Sequence, residues 1–320
     1  MIYLDWMQFG FQCLDGPEWT TAALAASTTY RNRSVAVGNG VAVAVSGAPA
    51  TPYAVYSTDA GDTWNVATIN GFTGSPGEAF SPVYGNGWFF ATVNAIQGMR
   101  SNDGQTWDAV GFTSVPSYDI AGYAIGKFFV VGSTDGFGIR YSSDNAATWS
   151  SASSLPSYFG ASGKMADDGT TAMVPGWNAG TGFVITTNDG NTWTKKSAPW
   201  TVAAPNSIAC NGSRFVTVGE GTSGSNASWY SDDAGDTWTS ATIAGLASNV
   251  WQDVIHNGGI FIAVCDTTTE VAISEDGANW TLSPNPMVTG GATSIAADGN
   301  NYIAQDTATL NTIRIGRCVG

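Results

Sequence analysis

Acid–base, nucleophilic and metal chemistry each need particular side chains held close together, and this 320-residue chain carries few of them. Its one histidine, His256, lies in the run His256-Asn257-Gly258-Gly259, which reads as an exposed hairpin tip. A lone imidazole excludes a site built on several histidines and leaves no credible Ser–His–Asp or Cys–His relay. Cys13, Cys210, Cys265 and Cys318 form no Cys-x-x-Cys pair, so neither a zinc site nor a dithiol redox motif is expected. Cys210 and Cys265 close apolar runs and read as buried free thiols. Glycoside hydrolysis needs two carboxyl groups flanking the scissile bond. Glu78, Asp119, Asp135, Glu220, Asp253, Asp266 and Glu270 are the loop candidates, and nothing in their spacing singles out a pair. The expectation is a chain with no catalytic centre, no metal and no cofactor.

Composition narrows the partners. Charged residues make up 11% of the chain, and the net charge is −14. An acidic surface poor in Lys and Arg repels phosphate backbones, so no nucleic-acid partner is expected. No run of 18 apolar residues is present, so no membrane insertion is expected. The opening Met1-Ile2-Tyr3-Leu4-Asp5-Trp6 lacks a basic flank and a clean apolar stretch, and reads as no signal peptide.

The elements that must position any site follow a repeat. Tryptophan recurs at 19, 64, 107, 149, 193, 238 and 280, every 42 to 45 residues. A period of that length marks propeller blades. Each tryptophan closes a related motif, complete in Ser57-Thr58-Asp59-Ala60-Gly61-Asp62-Thr63-Trp64 and in Ser231-Asp232-Asp233-Ala234-Gly235-Asp236-Thr237-Trp238. The copy at 142–149 has Ala146 in the glycine place. Those at 101–107, 187–193 and 274–280 are one residue shorter, and Cys13-Leu14-Asp15-Gly16-Pro17-Glu18-Trp19 is degenerate. Between motifs, two apolar runs flank a tight turn near 34–45, 79–93, 119–131, 160–174, 207–218, 251–265 and 293–304. Each pair predicts a hairpin, followed by a strand into the next motif and a strand out of it.

These motifs resemble the Asp box, Ser-x-Asp-x-Gly-x-Thr-Trp, also called the BNR repeat, along essentially the whole chain. The resemblance implies one all-β domain over 1–320: a seven-bladed β-propeller with four antiparallel strands per blade. It implies turn-locking roles for Asp59, Trp64, Asp103, Trp107, Asp144, Trp149, Asp189, Trp193, Asp233, Trp238, Asp276 and Trp280. The aspartate caps backbone N–H groups, the glycine permits positive φ and the tryptophan packs back. A calcium site is the sharper alternative, but the spacing does not match an EF-type loop. The repeat leaves function open, because sialidases, other glycosidases, sorting receptors, assembly factors and phage proteins all carry it. A sialidase needs three arginines around the axis. Arg100, Arg140, Arg314 and Arg317 fall on or just after third strands, and Arg214 flanks a turn. That leaves Arg31 and Arg33, and Arg314-Ile315-Gly316 departs from the family's Arg-Ile-Pro motif.

Ring closure must join the two ends, because the chain opens on a third-strand candidate at 7–12 and finishes on another at 312–316. This velcro closure removes free sheet edges and leaves one end segment surplus, as a fifth strand or lying across the blade. Cys13 and Cys318 would meet in the mixed blade. With no secretory signal read, reduced thiols are favoured there and a disulfide is the alternative. Ligands of propellers meet the face opposite the Asp boxes, where aromatics recur among small polar residues. Trp177, Trp200, Trp251, Tyr118, Tyr158 and Phe137 are the candidate binding residues. The short boxes and charge-poor composition resemble those of phage structural Asp-box proteins. The expected role is a non-enzymatic virion subunit, a tail-fibre or receptor-binding protein. Its expected partners are other virion proteins and a host surface glycan or protein. The alternatives are a capsid decoration protein, a stand-alone lectin or a glycosidase.

Overall fold

Runs of small and β-branched residues, broken by turns such as Asn39-Gly40 and Asn86-Gly87, pair into hairpins that open each repeat. Both residues of these two turns hold positive φ, as a two-residue hairpin of matching twist requires. The computed structural model describes residues 13, 15–23, 31–47, 52–72, 80–94, 97–112, 120–132, 138–157, 161, 163–178, 180–201, 205–220, 228–243, 250–287, 290–306 and 312–318. These residues contain no helix.

Seven antiparallel sheets form the blades. From the axis outward, blade 1 is Arg31–Gly38, Val41–Gly47, Pro52–Ser57 and Asn65–Val66. Blade 2 is Phe80–Gly85, Trp88–Asn94, Gln97–Ser101 and Thr106–Gly111, and blade 3 is Ile120–Ala124, Lys127–Val131, Ile139–Ser142 and Ser150–Ser151. Blade 4 is Ala166–Asp167, Ala172–Asn178, Thr181–Thr187 and Thr194–Ala198. Blade 5 is Ser207–Cys210, Phe215–Val218, Ser228–Ser231 and Thr239–Ala241. Blade 6 is Trp251–Asn257, Ile260–Cys265, Val271–Ser274 and Thr281–Leu282. Blade 7 is Ala292–Asp298, Asn301–Asp306 and Thr312–Arg317, with Glu18–Ala23 from the other end of the chain as its outer strand. Each inner strand touches the next, and Ala292–Asp298 touches Arg31–Gly38, so the ring is closed. The C-terminal segment therefore takes the third place in blade 7, and the candidate at 7–12 lies outside the described residues. Cys13 and Cys318 are disulfide-bonded, which corrects the expectation of reduced thiols.

Six motif turns share one hydrogen-bond circuit. Ser57 Oγ donates to Asp59 Oδ1 (2.7 Å) and accepts the Gly61 N–H (2.8 Å), and Asp59 Oδ1 accepts the Thr63 N–H (2.9 Å). In three of the six the indole adds a bond, Trp64, Trp107 and Trp193 Nε1 donating to Gly61, Gly104 and Gly190 O, whereas among the described residues Nε1 of Trp149, Trp238 and Trp280 makes none. In the short form, Asp103 Oδ1 accepts from both Gln105 N and Thr106 N. These bonds hold the carboxylates in the charged form. The Thr63 hydroxyl and N–H hold Asp59 down at about 2. At Asp144 and Asp276 burial works the other way and is outweighed by such bonds, leaving both near 2.

Each turn is also fixed by the blade before it. Thr68 N–H of blade 1 donates to Gln105 O (2.8 Å), Arg100 Nη1 of blade 2 to Asn145 O (3.1 Å), and Ser154 N–H of blade 3 to Asn191 O (3.2 Å). Lys196 Nζ of blade 4 reaches Ala234 O (2.9 Å), and Arg214 Nη1 of blade 5 reaches Asp276 O (2.7 Å). Ser283 Oγ of blade 6 donates to Asp15 O (2.6 Å), and Arg317 Nη2 of blade 7 to Asp62 Oδ1 (2.6 Å). Three links add parallel pairing along the rim. Thr68–Asn70 lies beside Thr106–Asp108 as a fifth strand of blade 2, Ser154 bridges Thr192, and Ile243 bridges Trp280. These straps cover outer strand edges, which are otherwise open to pairing with other chains.

Candidate functional site

The inner strands surround an axial cavity of about 280 Å³, lined in part by Val37, Tyr84, Tyr123, Lys164, His256 and Ile295. Four inner strands shift register near their start, between Asn32 and Ser34, Phe80 and Val83, Trp251 and Asp253, and Ala292 and Ser294. Such shifts re-aim side chains. The first residues after three of them, Ser34, Asp253 and Ser294, bond to a neighbouring blade instead of facing solvent.

Asp253 is fully buried, and both of its oxygens are occupied. Ser207 Oγ of blade 5 donates to Oδ1 (2.7 Å), and the Ile295 N–H of blade 7 donates to Oδ2 (2.8 Å). Lys164, on the blade 4 segment, forms an ion pair with the same Oδ2 and also donates to Ile295 O (3.4 Å). Next to Ile295, Ser294 Oγ meets Ser34 Oγ (3.1 Å) and accepts from Val35 N (3.4 Å) in blade 1. A belt of polar contacts thus runs from blade 4 to blade 1 by way of blades 5, 6 and 7. Lys164 reaches it because the blade 4 inner strand is cut short. Gly163 sits at φ +76, and a Cβ there would lie 2.6 Å from Asn206 O, so the chain leaves the ladder before Ala166–Asp167. Sequence reading placed Asp253 among solvated loop carboxylates and passed over Lys164. The signal available was a lysine in the one hairpin whose first run also holds Gly160 and Gly163.

His256 is not at an exposed tip. It is half-buried on Trp251–Asn257 and faces Phe261, with ring centres 4.8 Å apart. Tyr84 opposite Phe89 (4.8 Å) and Tyr123 opposite Phe128 (4.9 Å) hold the equivalent places in blades 2 and 3. His256 is therefore the blade 6 member of an aromatic series, and burial pushes its pKa down. Cys210 holds the same place opposite Phe215 in blade 5. It is only half-buried, yet burial raises its thiol to about 11, so it is a poor nucleophile at neutral pH. Cys265 is buried as expected. Among the described residues no trio of His, Cys, Asp or Glu converges on a metal position.

The aromatic candidates separate. Trp200 (2% exposed) and Trp251 (0%) are core residues and offer no face to a ligand. Trp200 Nε1 donates to Gly176 O (2.8 Å), and its ring packs on Trp229 and Trp238 between blades 4 and 5. Their burial corrects the expectation of surface stacking. Trp200, between Pro199 and Thr201, looks exposed in sequence but plugs the seam where blades 4 and 5 meet. Trp177 is half-buried, on the strand Ala172–Asn178 opposite Gly182, not within a loop. Its Nε1 donates to Thr201 O (3.3 Å), and its ring rests on the cluster that contains Met173, Trp200 and Phe215. Pro175 fits that strand because it falls between the Ala166–Met173 pair and the Ala161–Gly176 bridge, where no inner-strand residue pairs with it. Tyr118, Tyr158 and Phe137 lie outside the described residues, as do Glu78, Asp119 and Asp135. Asp266 accepts from Gln252 Nε2 (2.8 Å), and Glu220 is exposed.

Four of the seven arginines are committed to structure. Arg100, Arg214 and Arg317 each fix a turn of the next blade, and Arg314 is buried in blade 7 at 1% exposure.

No protein-family model matches the chain, and no curated protein matches it. Solved structures of similar fold include virginiamycin B lyase from Staphylococcus aureus (TM-score 0.74, 12% identity, 94% of this chain and 99% of that one). They also include YCF48 bound to D1 peptide (0.71, 13%, 96% and 97%). A third is the GH74 xyloglucanase from Xanthomonas campestris (0.62, 13%, 89% and 52%). At these identities the likeness is one of propeller fold, shared by proteins of different function.

Proposed function

We propose that this propeller is a non-enzymatic binding subunit that docks a surface glycan through its loop face, as part of a virion. The observation that carries the reading is Trp177. Its indole is held by the Thr201 carbonyl and backed by the Trp200 cluster, yet keeps part of its surface open. A fixed aromatic of this kind stacks on a sugar ring at little entropic cost. The absence of catalysis is part of the proposal. It is supported by the saturation of Asp253 and the structural use of His256, Arg100, Arg214 and Arg317. The virion setting is supported by the charge-poor composition.

A glycan array probed with the wild type and with Trp177→Ala tests the site. Binding to a defined glycan set, weakened at least tenfold in the variant with folding unchanged, is the expected result. Binding that Trp177→Ala leaves untouched removes Trp177 from the site. Hydrolysis of any array member overturns the non-enzymatic reading. Neighbouring genes for tail or capsid proteins are expected, and a neighbourhood of secreted carbohydrate enzymes overturns the virion setting. The specific alternative is a peptide ligand, since one propeller of this shape is described with a bound peptide.

A further inference from the structure

Blade 7 lacks the lock that the other six share. Aligned on the tryptophans, Cys13 stands where Ser101, Thr187 and Ser274 hold the hub of the short turn. Those hydroxyls accept the N–H of Gly104, Gly190 and Gly277 at 2.8, 2.8 and 2.7 Å and donate to the aspartate. Pro17 stands where Gln105, Asn191 and Ala278 donate N–H groups to that aspartate, and proline has none to give. Glu18 stands where a threonine or asparagine makes the closing bond. Among the described residues nothing donates to the Asp15 carboxylate. The Gly16 N–H turns instead to the Cys13 carbonyl (2.8 Å). The Cys13 sulfur is bonded to Cys318, one residue beyond the strand Thr312–Arg317 that Glu18–Ala23 pairs with.

We propose that the Cys13–Cys318 bond is a redox-operated clasp that does in blade 7 what the Ser–Asp hub does elsewhere. Its reduction frees the outer strand Glu18–Ala23 while the rest of the ring stays closed. A dithiol reductant supplies two electrons and two protons. The Sγ–Sγ bond breaks, two thiols form, and the reductant's own sulfurs join as a cyclic disulfide. The freed Cys13 thiol is a weak donor and acceptor and Pro17 has no N–H to give, so the hub of the other turns cannot form in full. What then holds the strand is its pairing with Thr312–Arg317, the burial of Trp19 and Ala22, and the Ser283 and Asn285 contacts to Asp15 O and Gly16 O. The inner strands make their circuit without it.

Hydrogen exchange by mass spectrometry on the full chain, with and without dithiothreitol, tests this. The expected result is exchange at least tenfold faster at 19–23 after reduction, with Trp88–Asn94 and Thr181–Thr187 unchanged. A Cys13→Ala/Cys318→Ala double variant, which brings in no hub hydroxyl, is expected to match the reduced protein under both conditions. The wild-type comparison decides the matter even where that variant fails to fold. Equal exchange at 19–23 in both states overturns the clasp. So does loss of protection in all blades together, or four reactive thiols in the denatured, unreduced protein.

Discussion

At the residue scale, the glycine of each turn answers to two demands at once. Gly61 adopts φ +96, and a Cβ there would lie 2.7 Å from Ile303 Cδ1 and 3.1 Å from Ile315 Cγ1 of blade 7. Gly104 and Gly235 press in the same way on Val41 and on Met173 of the preceding blades. Gly40, at φ +73, has open space around it. Gly40→Ala is therefore expected to cost about 1 kcal/mol from backbone strain alone. Gly61→Ala is expected to cost about 2–4 kcal/mol, because overpacking adds to the strain. Urea denaturation of the two variants side by side checks this, and equal losses would separate the turn from the seam. Ala146 is the exception that fits: it holds φ 59 and is fully buried against the cluster around Phe90, so blades 2 and 3 leave room for a methyl. The turn residues were legible because their chemistry is local, a serine, an aspartate and a glycine within five positions. The seam tryptophans Trp200 and Trp251 were not, because burial there is decided by a neighbouring blade some forty residues away.

At the element scale, the turn carboxylates make stability depend on acid. Asp59, Asp144 and Asp276 sit at about 2 in the folded chain, below the ordinary value near 4 for a free aspartate. A lowered folded value means stabilisation that is complete above roughly pH 5 and is lost as the pH falls through the folded value. The urea midpoint is expected to hold from pH 7 to about pH 5 and to drop steeply from about pH 4 to 2. Asp59→Asn is expected to start lower and fall less across that window. A parallel fall in both proteins would move the acid sensitivity elsewhere. Strand number and hairpin placement were read correctly from turn signals in most blades. Blade 4 departed from the hairpin read near 160–174, because its inner strand is only Ala166–Asp167 and its second strand carries Pro175 and runs on to Asn178. Such a fit depends on what the neighbouring strand leaves unpaired, and local sequence does not carry that information.

At the scale of the whole molecule, Lys164 is the residue with the longest reach. From blade 4 it passes blade 5 to meet Asp253 of blade 6 and the Ile295 carbonyl of blade 7. Lys164→Ala would leave the Asp253 carboxylate buried without its counter-charge. A loss of about 3 kcal/mol in urea stability at pH 7 is expected. The exposed Arg317–Asp62 pair, by contrast, sits where such pairs contribute about 1 kcal/mol or less. A loss no larger than for Arg317→Ala would sink the idea of a central brace. The rim follows another rule. Among the described residues, parallel straps join blade 1 to 2, 3 to 4 and 5 to 6. Seven is odd, so couples cannot tile the circle, and one blade must be left over. Among the described residues the blade without a strap is blade 7, assembled from both chain ends and carrying the sulfur bridge. Among the described residues the rim is thus three doublets and a singlet, and the covalent bond lies on the singlet.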